Sequence, residues 1–308
     1  MAPCILTFTL NPTIDLAADA DAVLPVRKIR TRGDSFDPGG GGVNVSRVVR
    51  ELGGETCAII LAGGVSGRLL EELLDEAGVR HLTVPIAGRT RISHTVHDLG
   101  QKLEYRFVPE GPALSAAEAA AGLAALETTP GDWLVASGSL NPGTPADYYA
   151  RAKTIALRRG MPFVLDTSGP AMAAALGPGL KLMKPSKGEF ETLVGRKLAE
   201  AELAEAAQAF IGQGGTELLA LTLGGDGALL ASAEGVLRLP ALDVPALGAV
   251  GAGDSFLAAM VLRLAEGATP RDAFCWGMAA GAAAVMRPGT AHPSRADVAA
   301  LRQRIGPV

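Results

Sequence analysis

The feature that most constrains the fold of this chain is the regular alternation of short apolar runs with longer segments of helical periodicity. Apolar runs such as Cys4 to Leu10 and Thr56 to Leu61 are too short for helices and predict buried strands. Segments such as Val43 to Leu52 and Arg68 to Ala77 have the spacing of helices. Repeated strand–helix units favour parallel strands joined by crossover helices. The sequence therefore predicts an α/β protein with a doubly wound, mostly parallel sheet and helices on both faces.

The same alternation continues along the rest of the chain. Further strands are predicted over Trp133 to Ala136, Pro162 to Leu165, Leu182 to Met183 and Leu218 to Leu223, with a hairpin over Ala228 to Leu239. Further helices are predicted over Ala116 to Glu127, Pro145 to Arg159 and Glu202 to Gln213, and the last three helices should start near Ala252, Pro270 and Ser294.

Two strand-rich insertions, residues 16–36 and 90–108, interrupt this alternation. The second insertion alternates polar and apolar residues on both sides of a turn at Leu99 to Gln101, which predicts a hairpin. Together the insertions predict a small β-sheet that projects from a main domain made of residues 1–15, 37–89 and 109–308. A projecting sheet of this kind can cover a binding site as a lid.

Composition narrows the class of function. Of the 308 residues, 48% are hydrophobic and 19% are charged, which is typical of a globular protein with a large core. The net charge of −4 argues against general binding to nucleic acid or to a membrane surface. Cys4, Cys57 and Cys275 lie far apart, without the spacing of a metal site, and favour free thiols. We therefore expect a cytoplasmic protein that binds any anionic ligand at a local site.

The stretch from Gly248 to Ser255 carries the strongest sign of chemistry. Its glycines precede an apolar segment, Phe256 to Leu264, that is rich in helix-forming residues, so a helix should begin there. The first turn of a helix leaves backbone N–H groups free to bind an anion, such as a phosphoryl group in transfer. Asp254 stands at this site and could accept a proton from an attacking hydroxyl. The alternative is that Asp254 only caps a buried helix.

Glycines mark two further candidate sites. Gly39 to Gly42 stand directly before a predicted helix, which suggests that the backbone closely approaches a ligand; the alternative is a flexible linker. Asn44, in the first turn of that helix, could hydrogen-bond a sugar hydroxyl. Leu223 to Gly227 follow a predicted strand and could wrap a nucleotide phosphate, although a plain hairpin turn is an alternative.

Charged residues add candidates for a metal and for a phosphate. Glu189 follows another predicted strand and could help to hold a hydrated Mg²⁺, which prefers carboxylates and water. The alternative is a solvated carboxylate at the start of a helix. Lys28, Arg30 and Arg91 lie in the two insertions and could clamp a substrate phosphate. The alternative is that exposed lid strands carry Lys and Arg for solubility.

Taken in order along the chain, these motifs resemble those of the ribokinase/PfkB family of sugar kinases. The family's glycine-rich stretch with Asn is matched by Gly39 to Asn44, and its Gly-Ala-Gly-Asp signature is matched by Gly251 to Asp254. The phosphosugar-kinase branch is similar to the chain at Asn11 to Asp15, Ser137 to Gly143 and Lys184-Pro185. Within it, the chain resembles ATP-dependent 6-phosphofructokinases of the isozyme-2 type. The resemblance implies a ribokinase-like fold whose β lid often forms a dimer clasp.

By this resemblance, the chain would transfer phosphate from ATP to the C1 hydroxyl of fructose 6-phosphate, as a homodimer with Mg²⁺. The catalytic group would consist of Asp254 as the base, with Gly251, Ala252 and Gly253 around the anion. The phosphosugar would be held by Asp15, Gly40, Gly41, Gly42, Asn44, Arg91 and Ser139, while Lys28 and Arg30 reach the substrate of the neighbouring subunit. The ATP site would be lined by Lys184, Ser186, Thr222, Gly224 and Gly227, and Glu189 would organise Mg²⁺ through water.

The chain departs from the family pattern at a few positions. Ser186 stands where the family has Asn beside the nucleotide. Gly41 stands where 1-phosphofructokinases and tagatose 6-phosphate kinases usually have Lys, which favours fructose 6-phosphate and leaves those two activities as alternatives. Arg287 stands where a smaller polar residue is usual, so dependence on K⁺ stays open. The family's potassium site would lie near Gly248, Val250, Ala284 and Gly289. A non-catalytic binding protein on the same fold is the remaining alternative.

Overall fold

The computed structural model describes residues 2–248, 250–287 and 291–306. These residues form a nine-stranded sheet flanked by helices and a separate four-stranded sheet. The α/β fold that the sequence predicts is therefore confirmed, as is the presence of a second, smaller sheet. Within the described residues, no helix is both long enough and apolar enough to cross a membrane.

The strands and helices are numbered here in chain order. The strands are β1 (Cys4–Thr9), β2 (Thr13–Ala20), β3 (Thr31–Gly39), β4 (Glu55–Ala62), β5 (His81–Pro85), β6 (Arg91–Asp98), β7 (Leu103–Phe107), β8 (Trp133–Ser137), β9 (Phe163–Asp166), β10 (Leu180–Met183), β11 (Leu218–Thr222), β12 (Ala228–Ser232) and β13 (Gly235–Leu239). The helices are α1 (Gly41–Glu51), α2 (Gly64–Glu76), α3 (Ala116–Thr128), α4 (Tyr148–Arg158), α5 (Gly169–Ala175), α6 (Lys187–Val194), α7 (Leu203–Gly212), α8 (Ala252–Ala265), α9 (Pro270–Val285) and α10 (Arg295–Ile305).

The large sheet has the strand order β13-β12-β11-β10-β9-β8-β1-β4-β5. All neighbouring strands are parallel except at one edge, where β12 is antiparallel to both β11 and β13. The chain starts at β1, extends to β4 and β5 on one side, and then returns to add β8 on the other side of β1. The strand order thus reverses between β1 and β8. Ligands of open α/β sheets bind at the carboxyl ends of the strands at such a reversal.

Both faces of the large sheet are buried because successive side chains of the central strands point in opposite directions. In β1, Leu6 and Phe8 belong to the apolar cluster on one face, whereas Ile5 belongs to the cluster on the other. Helices α3 to α7 cover the first face. Helices α1, α2, α8, α9 and α10 cover the second face. The apolar tract near the end of the chain is the buried helix α9.

The small sheet has the order β3-β2-β6-β7. Its central strands β2 and β6 are parallel, and the predicted hairpin forms the antiparallel pair β6 and β7. The register places Asp15, Ser93 and Arg106 on one face, which is polar, and Leu16 and Phe107 on the other, which is apolar. Strands β2 and β3 both extend beyond residues 16–36, whereas residues 21–30 form no strand.

Two elements were not expected from the sequence, and one begins late. Strand β5 is an edge strand whose sequence, His81–Pro85, lacks a continuous apolar run. Helix α5 has only 7 residues, which is too short for helical periodicity to stand out. Helix α6 begins at Lys187, and its first turn contains Glu189, for which the sequence offered a helix start as the alternative. Helix α4 starts at Tyr148 and not at Pro145. These local differences leave the predicted architecture unchanged: a mostly parallel sheet with helices on both faces.

Candidate active site

The glycine-rich stretch near the end of the chain leads into helix α8, as the sequence predicts. Gly251 precedes the helix with a φ of 72°, a left-handed conformation that glycine adopts without strain. Phe256 and Leu257 in the following turn are buried. The first hydrogen bond within the helix runs from the N–H of Ser255 to the carbonyl of Gly251, at 2.8 Å. The N–H groups at the start of the helix thus lack helical acceptors, which suits an anion.

Asp254 lies in this first turn with a perturbed acidity. It does not cap the helix, because Gly251 occupies the N-cap position. Nδ2 of Asn44 donates a hydrogen bond to Oδ2 of Asp254 at 2.8 Å. Burial raises the pKa of Asp254 to about 7 and the Asp166 carboxylate adds to the rise, whereas Asn44 and Lys184 oppose it. A carboxylate with a pKa near neutrality is suited to accept a proton from a hydroxyl.

An ion pair lies next to the start of α8. Nζ of Lys184 is 3.2 Å from Oδ1 of Asp166, and the side chain of Lys184 is buried. Burial alone would lower the pKa of Lys184, but the carboxylates of Asp166 and Asp254 outweigh it and hold that pKa above its usual value. A Cβ atom added to Gly253 would lie 3.1 Å from Nζ of Lys184. The ammonium group therefore stands directly beside the helix N-terminus.

The glycine run after β3 brings the backbone close to β1, β2 and β8. A Cβ atom on Gly39 would lie 2.1 Å from Oδ2 of Asp15, and one on Gly41 would lie 2.2 Å from Oγ of Ser137. Helix α1 begins at Gly41 without an intervening linker, which removes the flexible-linker alternative. Only residues without a side chain fit this close approach at the carboxyl ends of the central strands.

Asp15 projects from the polar face of the small sheet toward this region. Burial raises the pKa of Asp15 to about 6, although the guanidinium groups of Arg106 and Arg47 oppose the rise. Asp37 of β3 is its partner in register and adds to the rise. Asp15 is therefore a polar group held in a largely enclosed setting, where a ligand hydroxyl can reach it.

Arg91 joins the small sheet to the carboxyl end of β1. Its Nη2 donates to the carbonyl of Asn11 at 2.8 Å, and its Nη1 donates to the carbonyl of Pro109 at 2.9 Å. Among the described residues, its buried Nε has no partner. Ser139, in the loop after β8, is also close to Asn11, whose Nδ2 donates to its Oγ at 3.3 Å. Arg91, Ser139 and Asp15 are thus held around the same loop.

The small sheet carries Lys28 and Arg30 at its far end. Both are exposed and lie in the connection between β2 and β3. At the end of β2 near the site, Thr13 pairs with Arg91 of β6. At the opposite end of β2, Ala20 pairs with Thr31 of β3. At about 3.3 Å per residue, the two ends of β2 are roughly 23 Å apart. Within one chain, these two cations are therefore not brought together with the other predicted substrate residues.

A cleft of about 990 Å³ opens beside the start of α8. Its lining includes most of the predicted nucleotide residues and two from the anion site: Ser186, Thr222, Gly224, Gly227, Ala252 and Gly253. The turn containing Gly224 and Gly227 joins the antiparallel strands β11 and β12, so it is a hairpin turn. The same turn also lines the cleft. The volume is ample for a nucleoside triphosphate.

Glu189 takes part in the start of helix α6. Its Oε2 accepts hydrogen bonds from the backbone N–H of Ser186 at 2.7 Å and from the Ser186 hydroxyl at 2.8 Å. The described residues contain no group of three side chains able to hold a metal ion. Mg²⁺ is commonly held by one or two carboxylates together with substrate phosphates, so a single carboxylate beside a nucleotide cleft fits this ion.

The region of the family's potassium site is described only in part, because Ala249 and Gly289 lie outside the described residues. The N–H groups of Leu247 and Gly248 both donate to the carbonyl of Val285, at 2.7 and 3.3 Å. Arg287 forms an ion pair with Asp297 of helix α10.

Three residues around the site were missed by sequence reasoning. Asp166 and Asn11 both lie at carboxyl ends of central strands, where open α/β sheets bind their ligands. Their positions after predicted strands could therefore have identified them as candidates. Arg106 of β7 pairs with Thr95 of β6 and lies on the polar face of the small sheet. Its approach to Asp15 depends on the pairing of three strands, which local sequence patterns do not encode.

The fold and the geometry beside α8 define the class of this protein: a nucleotide-dependent kinase that acts on a small molecule. The chain belongs to the pfkB family of carbohydrate kinases, whose model matches residues 9–297. The resemblance drawn from the motifs is thereby confirmed.

Individual relatives agree with this family. The ATP-dependent 6-phosphofructokinase isozyme 2 of Mycobacterium tuberculosis is 41% identical over 299 residues, which cover 96% of this chain and 88% of the relative. The crystal structure of phosphofructokinase-2 from Escherichia coli in complex with fructose-6-phosphate matches with a TM-score of 0.93, at 34% identity and over 100% of both chains. The structure of that enzyme in complex with potassium matches with a TM-score of 0.95, at 34% identity and also over 100% of both chains.

Proposed function

We propose that this chain is a 6-phosphofructokinase: it transfers the γ-phosphoryl group of ATP to the C1 hydroxyl of fructose 6-phosphate and gives fructose 1,6-bisphosphate. The observation that carries the proposal is the position of Asp254. Its carboxylate lies in the first turn of α8 and accepts a hydrogen bond from Asn44, and the two residues before it, Ala252 and Gly253, line the cleft. The names of the similar proteins support the choice of this sugar.

In this proposal Asp254 accepts the proton of the C1 hydroxyl as the hydroxyl oxygen attacks the γ-phosphorus of ATP. The bond between the γ-phosphorus and the bridging oxygen of the β-phosphate breaks, and ADP leaves. The backbone N–H groups of Ala252 and Gly253, next to Gly251, stabilise the charge of the phosphoryl group in transfer. Lys184 places a positive charge beside the same atoms, and Asp166 holds its ammonium group. Positioning and charge neutralisation are the main requirements of phosphoryl transfer.

The sugar phosphate would be bound by residues from both sheets. Asn44 keeps its Oδ1 buried without a partner among the described residues, so this oxygen is available to a sugar hydroxyl. Asp15 would accept a second hydroxyl, and Nε of Arg91 would meet the phosphate. The remaining contacts would come from Gly40, Gly41, Gly42 and Ser139.

ATP would occupy the cleft beside Ser186, Thr222, Gly224 and Gly227, with its phosphates toward α8. Glu189 would hold Mg²⁺ through water, and the bound ion neutralises phosphate charge. The potassium complex of the similar Escherichia coli enzyme supports testing this chain for activation by K⁺.

We also propose that the small sheet is a lid, formed by residues 16–36 and 90–108, through which two copies associate. Its outer face exposes a group of large apolar side chains on neighbouring strands: Phe36 (47% exposed), Ile92 (42%), Leu103 (50%) and Phe107 (58%). Contiguous apolar surface of this kind marks interaction sites. A second copy would bring its Lys28 and Arg30 toward the substrate. The free thiols Cys4, Cys57 and Cys275 agree with a cytoplasmic enzyme.

A substrate panel tests the activity. The ratio kcat/KM is measured with Mg-ATP for fructose 6-phosphate, fructose 1-phosphate and tagatose 6-phosphate, because this ratio defines specificity. We expect fructose 6-phosphate to be preferred. A preference for another sugar would leave the assignment as a kinase in place, but it would show that Gly41 does not set the sugar specificity. Nucleotide binding without turnover of any sugar would instead indicate the non-catalytic alternative.

A further inference from the structure

The connection between β2 and β3, residues 21–30, carries Lys28 and Arg30 but is held by few contacts. Every residue in it except Val23 is exposed. Among the described residues, Val23 is also the one member of residues 22–29 that hydrogen-bonds to another part of the chain. That bond runs to a carboxylate at the end of β6. An exposed segment without anchors samples many conformations, so the place of its two cations depends on how the segment is held.

The anchor is the side chain of Asp98. This residue ends β6, pairs with Ala20 at the end of β2 and is only 1% exposed. Its Oδ2 accepts a hydrogen bond from the N–H of Val23 at 2.8 Å, and its Oδ1 accepts one from the N–H of Gln101 at 2.9 Å. These two backbone donors hold the pKa of Asp98 below its usual value, and an ionised carboxylate is the stronger acceptor. One carboxylate thus joins the turn between β6 and β7 to the connection.

The backbone of the same turn also contacts the start of the connection. The N–H of Leu99 donates to the carbonyl of Ala20 at 2.9 Å, and the N–H of Gly100 donates to the carbonyl of Asp21 at 3.1 Å. A Cβ atom added to Gly100 would lie 2.8 Å from that carbonyl oxygen of Asp21, so the two segments lie against each other with no room for a side chain. The direction in which the connection leaves β2 is therefore set by the turn, and its two cations follow a few residues later.

We propose that Asp98 is a positioning residue for the sugar phosphate: it holds the connection so that Lys28 and Arg30 meet the substrate bound by the second copy. The inference rests on the proposed kinase activity and on the proposed association through the lid. At about 3.3 Å per residue, the end of β2 that Asp98 anchors is roughly 23 Å from the end near the site of its own chain. The two cations therefore act across the interface, where no other part of their own chain guides them.

The kinetic signature of this role follows from the group that the cations bind. Lys28 and Arg30 would contact the phosphate of fructose 6-phosphate that is not transferred, and its charge is the same in the ground state and in the transition state. Interactions made equally in both states lower KM without raising kcat. We expect Asp98→Ala to raise KM for fructose 6-phosphate at least about tenfold, which is close to the effect of losing one hydrogen bond to a charged group. The value of kcat should change less than about threefold.

The test is a cycle of variants that separates positioning from a structural role. The variant Asp98→Ala, the variant Lys28→Ala/Arg30→Ala and their combination are compared with wild type at saturating ATP, with fructose 6-phosphate varied. Without the two cations there is nothing left to place, so adding Asp98→Ala should then change kcat/KM less than about twofold. An equal effect of Asp98→Ala in both backgrounds would overturn the inference, as would a wild-type KM in Asp98→Ala or in Lys28→Ala/Arg30→Ala. Absence of turnover in wild type means instead that the proposed function has failed.

A second variant and a control complete the experiment. Gly100→Ala keeps the carboxylate of Asp98 but pushes a methyl group against the carbonyl of Asp21, so it should also raise KM for fructose 6-phosphate. Glu191→Ala is the matched control, because Glu191 is another buried carboxylate that accepts a backbone N–H, from Leu198 at 3.0 Å. It should leave KM for fructose 6-phosphate unchanged, and a rise like that of Asp98→Ala would overturn the inference. Light scattering at assay concentration should show that Asp98→Ala remains a dimer; a monomer would mean that Asp98 supports association and does not place the cations.

Discussion

Replacement of Asp254 by Asn should remove activity and stabilise the fold at the same time. The carboxylate lies beside Asp166 in a largely enclosed site, and burial is the main reason that its pKa rises from 3.8 to about 7. Because the folded state has the higher pKa, ionisation favours the unfolded chain. The free energy of unfolding therefore falls as the pH rises from about 4 to about 7. Asp254→Asn removes this charge but keeps an oxygen that can accept the hydrogen bond from Asn44.

The size of the effect follows from the two pKa values. A shift of one pKa unit corresponds to about 1.4 kcal/mol, so the raised pKa lowers the free energy of unfolding by about 4 kcal/mol at pH 8. At pH 5 only the carboxylate of the unfolded chain is ionised, and the free energy of unfolding is lower by about 2 kcal/mol. Water that reaches the carboxylate from the cleft screens part of this cost. We expect Asp254→Asn to raise the free energy of unfolding by about 2 to 4 kcal/mol at pH 8 and by about half as much at pH 5.

Urea unfolding at pH 5 and pH 8, together with turnover of fructose 6-phosphate, measures both effects. Loss of the base should lower kcat by at least about 100-fold. Asp297, also in the first turn of its helix, is the matched control, because hydrogen bonds from Ser294 and Arg287 lower its pKa. Asp297→Asn should therefore destabilise the protein at neutral pH. Equal stability of Asp254→Asn and wild type at pH 8, or near-normal turnover, would refute the reasoning.

Further predictions concern the sugar site, its pH dependence and the lid. Gly41→Ala should lower kcat/KM for fructose 6-phosphate at least about 100-fold, because the new Cβ atom would lie 2.2 Å from Oγ of Ser137. Gly212→Ala is the control and should keep wild-type kinetics, because a Cβ atom at Gly212 meets no atom within 4 Å. In wild type, kcat/KM should fall about tenfold per pH unit below about pH 7, because the carboxylate of Asp254 becomes protonated. A value of kcat/KM that stays constant from pH 5 to 7 would contradict this prediction. Phe107→Asp should give a monomer in light scattering at working concentration, whereas Leu157→Asp should stay dimeric.

Most of the fold could be predicted because its signals are local. Strands β1, β4, β8 and β11 are apolar runs. Helices α1 and α8 are preceded by glycine, and helix α9 begins with proline. Strand β5 and helix α5 were missed because their sequences are short or mixed, and their structure depends on neighbours in the sheet and core. The hairpin β6–β7 was predicted from its turn, but its parallel pairing with β2 joins residues about eighty positions apart and leaves no local trace.

The candidate site divides in the same way. Its motifs are read from sequence because each serves one chemical need at one place: glycines for close approach, a carboxylate for a proton, amides for an anion. The acidity of Asp254 cannot be read in this manner. Its pKa depends on Asp166, Lys184 and Asn44, which are brought from three other parts of the chain. Likewise, the hydrogen bonds of Arg91 to Asn11 and Pro109 appear only when the small sheet is assembled.

The sequence by itself determined the alternation of elements, the two sheets and the candidate reactive residues, because periodicity and turn chemistry act over a few neighbouring residues. Only the tertiary structure decided which of those residues meet, how strongly Asp254 holds its proton and which residues line the cleft beside α8. Desolvation and charge interactions act through space, between groups that are far apart in the sequence. Asn44 and Asp254, for example, are 210 residues apart.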